Sequence, residues 1–79
     1  MALKLVFLGR LEDAAGAAER TVPHADSLAD VLAGLEPELA EALRGPRVRV
    51  AVNGELVSAQ AHALSDGDEI AFLPPVSGG

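Results

Sequence analysis

The first third of the chain alternates between short apolar runs and polar breaks. Residues 2–9 are an apolar, partly β-branched run that ends at Gly9, which predicts a strand. Both faces of that strand are largely apolar, so we expect it in the interior of a sheet. Residues 10–17 are small and polar and predict a turn or short helix. Residues 19–22 predict a second short strand, ended by Pro23, which cannot donate to a ladder.

The middle of the chain has helical periodicity. Four apolar side chains recur at i, i+3, i+4 and i+7 and form one stripe: Leu28, Val31, Leu32 and Leu35. Asp26 or Ser27 is the expected N-cap, because both side chains accept hydrogen bonds from a first helical turn. Pro37 is expected to stop this helix or to restart it as a first-turn residue, and the pair Gly45-Pro46 ends the helical stretch.

Strand signals return in the second half. Residues 47–52 alternate arginine or alanine with valine, which is typical of a half-buried strand. Asn53-Gly54 predicts a tight hairpin turn, so residues 55–57 should pair back as a short strand. Residues 66–68 (Asp-Gly-Asp) predict a further turn before a last strand at residues 69–73.

This order of elements predicts an α+β fold of the β-grasp (ubiquitin-like) type. A small mixed sheet packed on one main helix is the economical way to bury the apolar stripes. The domain is expected at residues 1–74, followed by a flexible C-terminal tail at residues 75–79. In the last strand, Ile70 and Phe72 should face the helix, whereas Leu73 should point away from it.

The amino-acid composition excludes several classes of functional site and partner but does not by itself assign a function. The 79 residues include no cysteine, which excludes disulfides, cysteine-ligated zinc or iron–sulfur sites and thiol catalysis. Twelve acidic against six basic side chains give a net charge of −6, the wrong sign for a nucleic-acid partner. No apolar run approaches the roughly 20 residues of a membrane span. We therefore expect a cytoplasmic protein without a membrane partner.

Enzymatic and metal-binding patterns are weak. His24 and His62 lie in predicted loops without a second ligand at metal-binding spacing. Asp66, Asp68 and Glu69 are close in sequence but lack the spaced ligands of a calcium loop, so a turn with solvated charges is the preferred interpretation. We expect no metal site and no catalytic residue.

The C-terminal segment carries the chemical signal. The chain ends in Pro74-Pro75-Val76-Ser77-Gly78-Gly79. The prolines favour an extended exit from the sheet, and the two glycines place the terminal carboxylate on a stem that lacks Cβ atoms. Such a stem fits a narrow tunnel, and ATP can convert its carboxylate to an acyl-adenylate that a nucleophile then attacks. In a chain without cysteine, this carboxylate is the plausible carrier of an activated group.

The whole chain resembles a known family, most specifically in its second half; the opening strand that ends near Gly9 and the capped helix from Ser27 match in pattern. Val52-Asn53, Leu56-Val57 and residues 64–79, which read LSDGDEIAFLPPVSGG, look like the MoaD/ThiS-like sulfur carriers. The resemblance is strongest to the small, sulfur-carrier subunits of molybdopterin synthases. It implies that Gly79 is adenylated by an E1-like enzyme, becomes a thiocarboxylate and donates sulfur to form a dithiolene.

The resemblance also implies partners and tail contacts. The partners are the large subunit of molybdopterin synthase, the E1-like adenylating enzyme and a sulfur donor such as a cysteine desulfurase system. ATP is used by the activating enzyme, and no cofactor is bound stably. Pro75, Val76, Ser77 and Gly78 would thread the tail into its partner. The chain is then a non-catalytic subunit.

We also expect a docking patch beside the tail. Leu73 and Leu56 are candidate docking residues, unless Leu73 instead packs on Leu8 or Val52 of the same chain. An acidic carrier would also suit a basic partner cleft. The alternatives for function are a sulfur carrier for thiamine, tRNA thiolation or cysteine synthesis, a ubiquitin-like protein modifier, and an interaction module with an inert tail.

Overall fold

Five strands and three short helices make up the fold. The computed structural model describes residues 2–45, 47–57 and 63–74. In chain order the elements are β1 (Ala2–Phe7), α1 (Arg10–Ala15), β2 (Glu19–Pro23), α2 (Leu28–Ala33), α3 (Pro37–Leu43), β3 (Arg49–Val52), β4 (Glu55–Val57) and β5 (Glu69–Leu73).

The strands form one mixed sheet in the order β2-β1-β5-β3-β4. β1 and β5 run parallel, and the other neighbouring pairs are antiparallel. The last strand therefore lies at the centre of the sheet, between the first strand and β3. The mixed β-grasp sheet is confirmed, and so is the interior position of β1.

The core lies between the sheet and the helices. Leu5, Ile70 and Phe72 are fully buried. The Phe7 and Phe72 rings stack with centroids 5.6 Å apart, which joins the two parallel strands on the core side. The predicted orientation of β5 is thus confirmed: Ile70 and Phe72 face the helices.

The helical layer includes the short helix that was one of the two alternatives for residues 10–17, but the predicted main helix is divided in two. The layer consists of three short segments, with a break at residues 34–36 between α2 and α3. Pro37 is the first residue of α3. The N–H groups of a first helical turn make no hydrogen bond within the helix, so proline, which lacks an N–H, can restart the helix here without losing such a bond. Of the two predicted caps, Ser27 is the N-cap of α2, and its Oγ accepts from the Asp30 N–H at 3.3 Å.

Two turns determine the bounds of β3 and its hairpin with β4. Asn53 and Gly54 both have positive φ (51° and 87°), as the two-residue turn between β3 and β4 requires. β3 begins at Arg49 rather than at residue 47, because the Val48 N–H donates to the Gly45 carbonyl and closes a turn before the strand.

Candidate functional site: the root of the C-terminal tail

The tail begins at the end of the central strand. Leu73 is the last residue of β5 and Pro74 follows it. The predicted tail residues Pro75, Val76, Ser77, Gly78 and Gly79 lie outside the described residues, so their roles rest on the sequence. The structure fixes their starting point, because β5 is hydrogen-bonded to a neighbour on each side.

A close backbone approach fixes the tail root against the first connection of the chain. The backbone of Gly9 has φ 56° and ψ −136°, a conformation that residues with a Cβ atom rarely adopt. A Cβ placed there would lie 2.9 Å from Cγ of Pro74. Gly9 therefore allows Pro74 to rest on the β1–α1 connection. Sequence reasoning had assigned Gly9 only as a strand end.

Apolar side chains collect on the face of the sheet opposite the helices. Ala71 and Leu73 alternate with the buried Ile70 and Phe72, so they belong to this open face. The register pairs Ala51 with Ala71 on one side and with Leu56 on the other. We call the resulting surface the open-face patch; its members are Val6, Ala51, Leu56, Ala71 and Leu73.

The two predicted docking residues thus share one face. Their Cα atoms are about 12 Å apart, from two strand spacings of about 4.8 Å and two residue rises of about 3.3 Å. Leu56 is 63% exposed, whereas Leu73 is half-buried. Val52 pairs with Ile70 on the core side and so does not share a face with Leu73. Leu8 does lie beside the end of β5, because its N–H donates to the Phe72 carbonyl.

Sequence reasoning missed the small residues that join these two leucines. Ala51 and Ala71 are half-buried and lie between the two leucines in the register, and the half-buried Val6 extends the patch onto β1 beside Ala71. The alternation within each strand carried part of this signal, but the strand order was needed to bring them together.

The other polar candidates have structural partners. Asp68 accepts from Asn53 Nδ2 at 2.9 Å and from the Ser65 N–H at 2.8 Å, and Asn53 Oδ1 accepts from the Glu69 N–H at 3.0 Å. These bonds tie the hairpin turn to the start of β5.

His24 does not build a metal site with the described residues either. His24 Nδ1 lies 2.9 Å from Asp66, and His24 Nε2 lies 3.3 Å from Asp26. Over residues 2–45, 47–57 and 63–74, no three acidic or histidine side chains are grouped in a way that could hold a metal ion. His62 lies outside the described residues.

Ion pairs involve only two of the six basic side chains in the part of the chain that the structure describes. Lys4 lies 3.4 Å from Glu19 and 3.7 Å from Glu69. Arg20 donates to Glu36 at 2.8 Å and to the Ala15 carbonyl at 2.8 Å. The hydrogen bond from Arg20 lowers the pKa of Glu36 below its ordinary value of 4.5. The remaining arginines are Arg10, Arg44, Arg47 and Arg49.

Comparison with known protein families identifies the family of this chain. Residues 5–79 match the sequence profile of the ThiS family, and this match includes the glycine pair at the end of the tail. The chain belongs to the ThiS family. Among the described helices of this ThiS-family protein, none is long and apolar enough to cross a membrane.

Individual proteins are similar to this chain over almost their whole length. The molybdopterin synthase sulfur carrier subunit of Escherichia coli (strain K12) is 36% identical over 98% of this chain and 99% of its own. One chain of the protein–protein complex of subunits 1 and 2 of the molybdopterin-converting factor of Helicobacter pylori superposes with a TM-score of 0.74 at 30% identity, covering 100% of both chains.

A relative with a different name has the same fold. The small archaeal modifier protein 1 of Methanosarcina acetivorans superposes with a TM-score of 0.82 at 28% identity, covering 99% of this chain and 96% of its own. These neighbours confirm the β-grasp fold that the sequence predicted.

Proposed function

We propose that this ThiS-family protein is the sulfur-carrier subunit of a molybdopterin synthase and that Gly79 carries the sulfur. The observation that supports this most directly is that the family match extends through the terminal Gly78-Gly79 pair. The similarity to the E. coli sulfur carrier subunit over nearly the full chain supports the choice of pathway.

The chemistry acts at one carboxylate. An oxygen of the Gly79 carboxylate attacks the α-phosphate of ATP on an E1-like adenylating enzyme, and pyrophosphate leaves. The terminal sulfur of a persulfide on a donor such as a cysteine desulfurase system then attacks the acyl carbon, and AMP leaves. A thiol reductant cleaves the S–S bond of the resulting acyl disulfide, and the product is a C-terminal thiocarboxylate. Once its sulfur has passed to the pterin precursor, water restores the carboxylate, so the carrier is a co-substrate rather than a catalyst.

The tail supplies reach and clearance. Five residues follow Pro74, and an extended chain spans about 3.5 Å per residue, so Gly79 reaches about 17 Å beyond the tail root. Pro75 favours that extended course, and Gly78 presents no Cβ to a tunnel wall. Val76 and Ser77 are the tail side chains that contact the tunnel of the large synthase subunit.

The open-face patch is proposed as the docking surface for that large subunit. Leu56 is its most exposed large side chain, and Leu73 connects it to the tail root. Replacing Leu73 by Glu should weaken binding to the large subunit by about tenfold or more, the range seen for buried apolar anchors. The thermal midpoint should stay nearly unchanged. A collapse of stability without a specific binding defect would show that Leu73 belongs to the core.

Deleting Gly79 tests the carrier function itself. The deletion should change stability by less than about 0.5 kcal/mol, as is usual at exposed sites. It leaves Gly78 as the terminus, about 3.5 Å short of the reacting phosphate, and a misplacement of 1 Å can reduce a rate by about 10²-fold. Intact mass after incubation with adenylating enzyme, ATP and sulfur donor should show sulfur-for-oxygen exchange in the native chain only. Sulfur loading of the truncated chain would contradict the proposal.

A protein-modifier function is the second candidate, because the superposition on a small archaeal modifier protein is equally complete. The same mass measurement separates the two functions. A carrier gains a sulfur atom at its C-terminus, whereas a modifier forms an amide bond between Gly79 and a lysine of another protein.

A further inference from the structure

A groove runs between α1, α3 and the segment that leads into β3. Its volume is about 440 Å³ and it is open to solvent. The floor is apolar and the wall is basic: it is lined by Leu11, Ala14, Ala42, Gly45 and Val48 together with Arg10 and Arg47. We call it the arginine groove. It lies on the helical side of the molecule, whereas the open-face patch lies on the other side of the sheet.

The arginine groove borders the tail root. Arg10 follows Gly9, the residue on which Pro74 rests. A protein that encloses the tail as far as Gly79 takes in about 17 Å of extended chain, so its surface is brought close to Pro74. The walls of the arginine groove are then within reach of the same protein.

The two charged side chains that line the arginine groove are both positive, although the whole chain is acidic. Although the net charge is −6, Arg10 and Arg47 have no carboxylate within ion-pair distance among the described residues. Arg49, which pairs with Leu73 in the sheet register, also makes no ion pair with any described residue. The nearest helical acids in sequence, Glu12 and Asp13 on α1 and Glu41 on α3, make no ion pair with these arginines.

Acidic side chains concentrate at the opposite end of the sheet. Glu69 begins β5, and Glu55 begins β4 beside the hairpin turn. Gly67, between Asp66 and Asp68, donates its N–H to the Ala2 carbonyl at the start of β1. Acidic side chains therefore lie where β5 begins, whereas Arg49 lies opposite Leu73 where β5 ends.

We propose that the arginine groove binds a segment of the large synthase subunit in which an apolar side chain is flanked by carboxylates. The apolar side chain covers the alanine and valine floor, and the carboxylates pair with Arg10 and Arg47. Charge complementarity and continuity with the tail root select this occupant. This inference rests on the proposed function, since it assumes that the large subunit receives the tail.

The test is the affinity of the full-length chain for the large subunit of the same organism, measured by calorimetry. Arg47→Glu should raise Kd about tenfold, as expected for reversal of a charge that faces opposite charges. Arg44→Glu is the matched control: Arg44 is exposed, does not line the groove and gives the same change in net charge. It should raise Kd by less than about twofold. Arg47→Gln supplies a milder variant if the reversal disturbs folding.

A second pair of variants tests the floor without a change in charge. Ala42→Leu fills the groove and should weaken binding, whereas Ala29→Leu, on the exposed face of α2, should not. Equal effects of Arg47→Glu and Arg44→Glu would show general electrostatic attraction and overturn the proposal. So would unchanged binding in both Arg47→Glu and Ala42→Leu.

The chain's own tail is the alternative occupant. If deletion of residues 75–79 shifts the amide resonances of Ala42 and Arg47 in the free protein, the tail fills the groove and the proposal is wrong. The proposed function fails separately, on a different readout. If the native chain gains no sulfur at Gly79, the carrier function is refuted, whereas unchanged affinity of the groove variants refutes only the groove.

Discussion

Replacing Gly9 by Ala should destabilise the protein and displace the tail root at once. The backbone conformation at φ 56° and ψ −136° is costly for alanine, by about 1–3 kcal/mol. The new Cβ also meets Cγ of Pro74 at 2.9 Å. Because the pyrrolidine ring cannot rotate away from it, the backbone of one segment has to move. We expect a total loss of about 3 kcal/mol, with an overpacking contribution of about 1 kcal/mol.

A double-mutant cycle separates the two contributions. Gly9→Ala, Pro74→Ala and the double variant are compared by urea unfolding at equilibrium. Removing the ring atoms relieves the contact, so the double variant should be more stable than additivity predicts by about 1 kcal/mol, within the usual range for contacting pairs. In thermal unfolding this coupling corresponds to about 4–8 °C for a domain of this size.

Gly16→Ala is the control for the backbone. Gly16 also has positive φ (79°), but a Cβ there would meet nothing within 4 Å. It should lose about 1–2 kcal/mol and show no coupling to Pro74→Ala. Additivity of Gly9→Ala and Pro74→Ala within about 0.5 kcal/mol would refute the contact as the reason for a glycine at this position.

Three further changes test separate parts of the molecule. Leu56→Glu on the open-face patch should weaken large-subunit binding by about tenfold and leave the thermal midpoint unchanged; a shifted midpoint would instead assign Leu56 a folding role. Glu36→Gln removes a carboxylate whose pKa is lowered by Arg20, so its stabilisation is complete above pH 4.5 and is lost as the pH falls through the folded-state pKa. The urea midpoints of this variant and the native chain should differ at neutral pH and converge in acid, and a constant offset would contradict this origin. Asn53→Gly keeps the positive φ of the turn but loses the bonds to Asp68 and to the Glu69 N–H, and should cost about 1–2 kcal/mol in urea unfolding; an unchanged midpoint would show that these bonds contribute nothing net.

Local signals in the sequence predicted most of the elements. The alternation in β3 and β5, the Asn53-Gly54 turn and the Ser27 cap each depend on residues within a few positions of one another. The break at Pro37 also follows from one residue, because proline lacks an N–H. These predictions needed no knowledge of the tertiary structure.

The site was less predictable because its parts are far apart in sequence. Gly9 and Pro74 meet only because β1 and β5 pair in parallel, with Phe7 opposite Phe72. The open-face patch requires the strand order in addition to the alternation, and the arginine groove is assembled from two helices and a loop. The Gly78-Gly79 pair was visible from the start because it is a local motif.

The central position of β5 has a mechanical consequence. A force applied to the C-terminus acts along this strand, across the direction of its hydrogen bonds to β1 and β3. These bonds are then loaded together in shear instead of being opened one after another, and the Phe7–Phe72 stack is loaded with them. Traction on the C-terminus should therefore draw the whole domain along as a rigid body before any strand peels away.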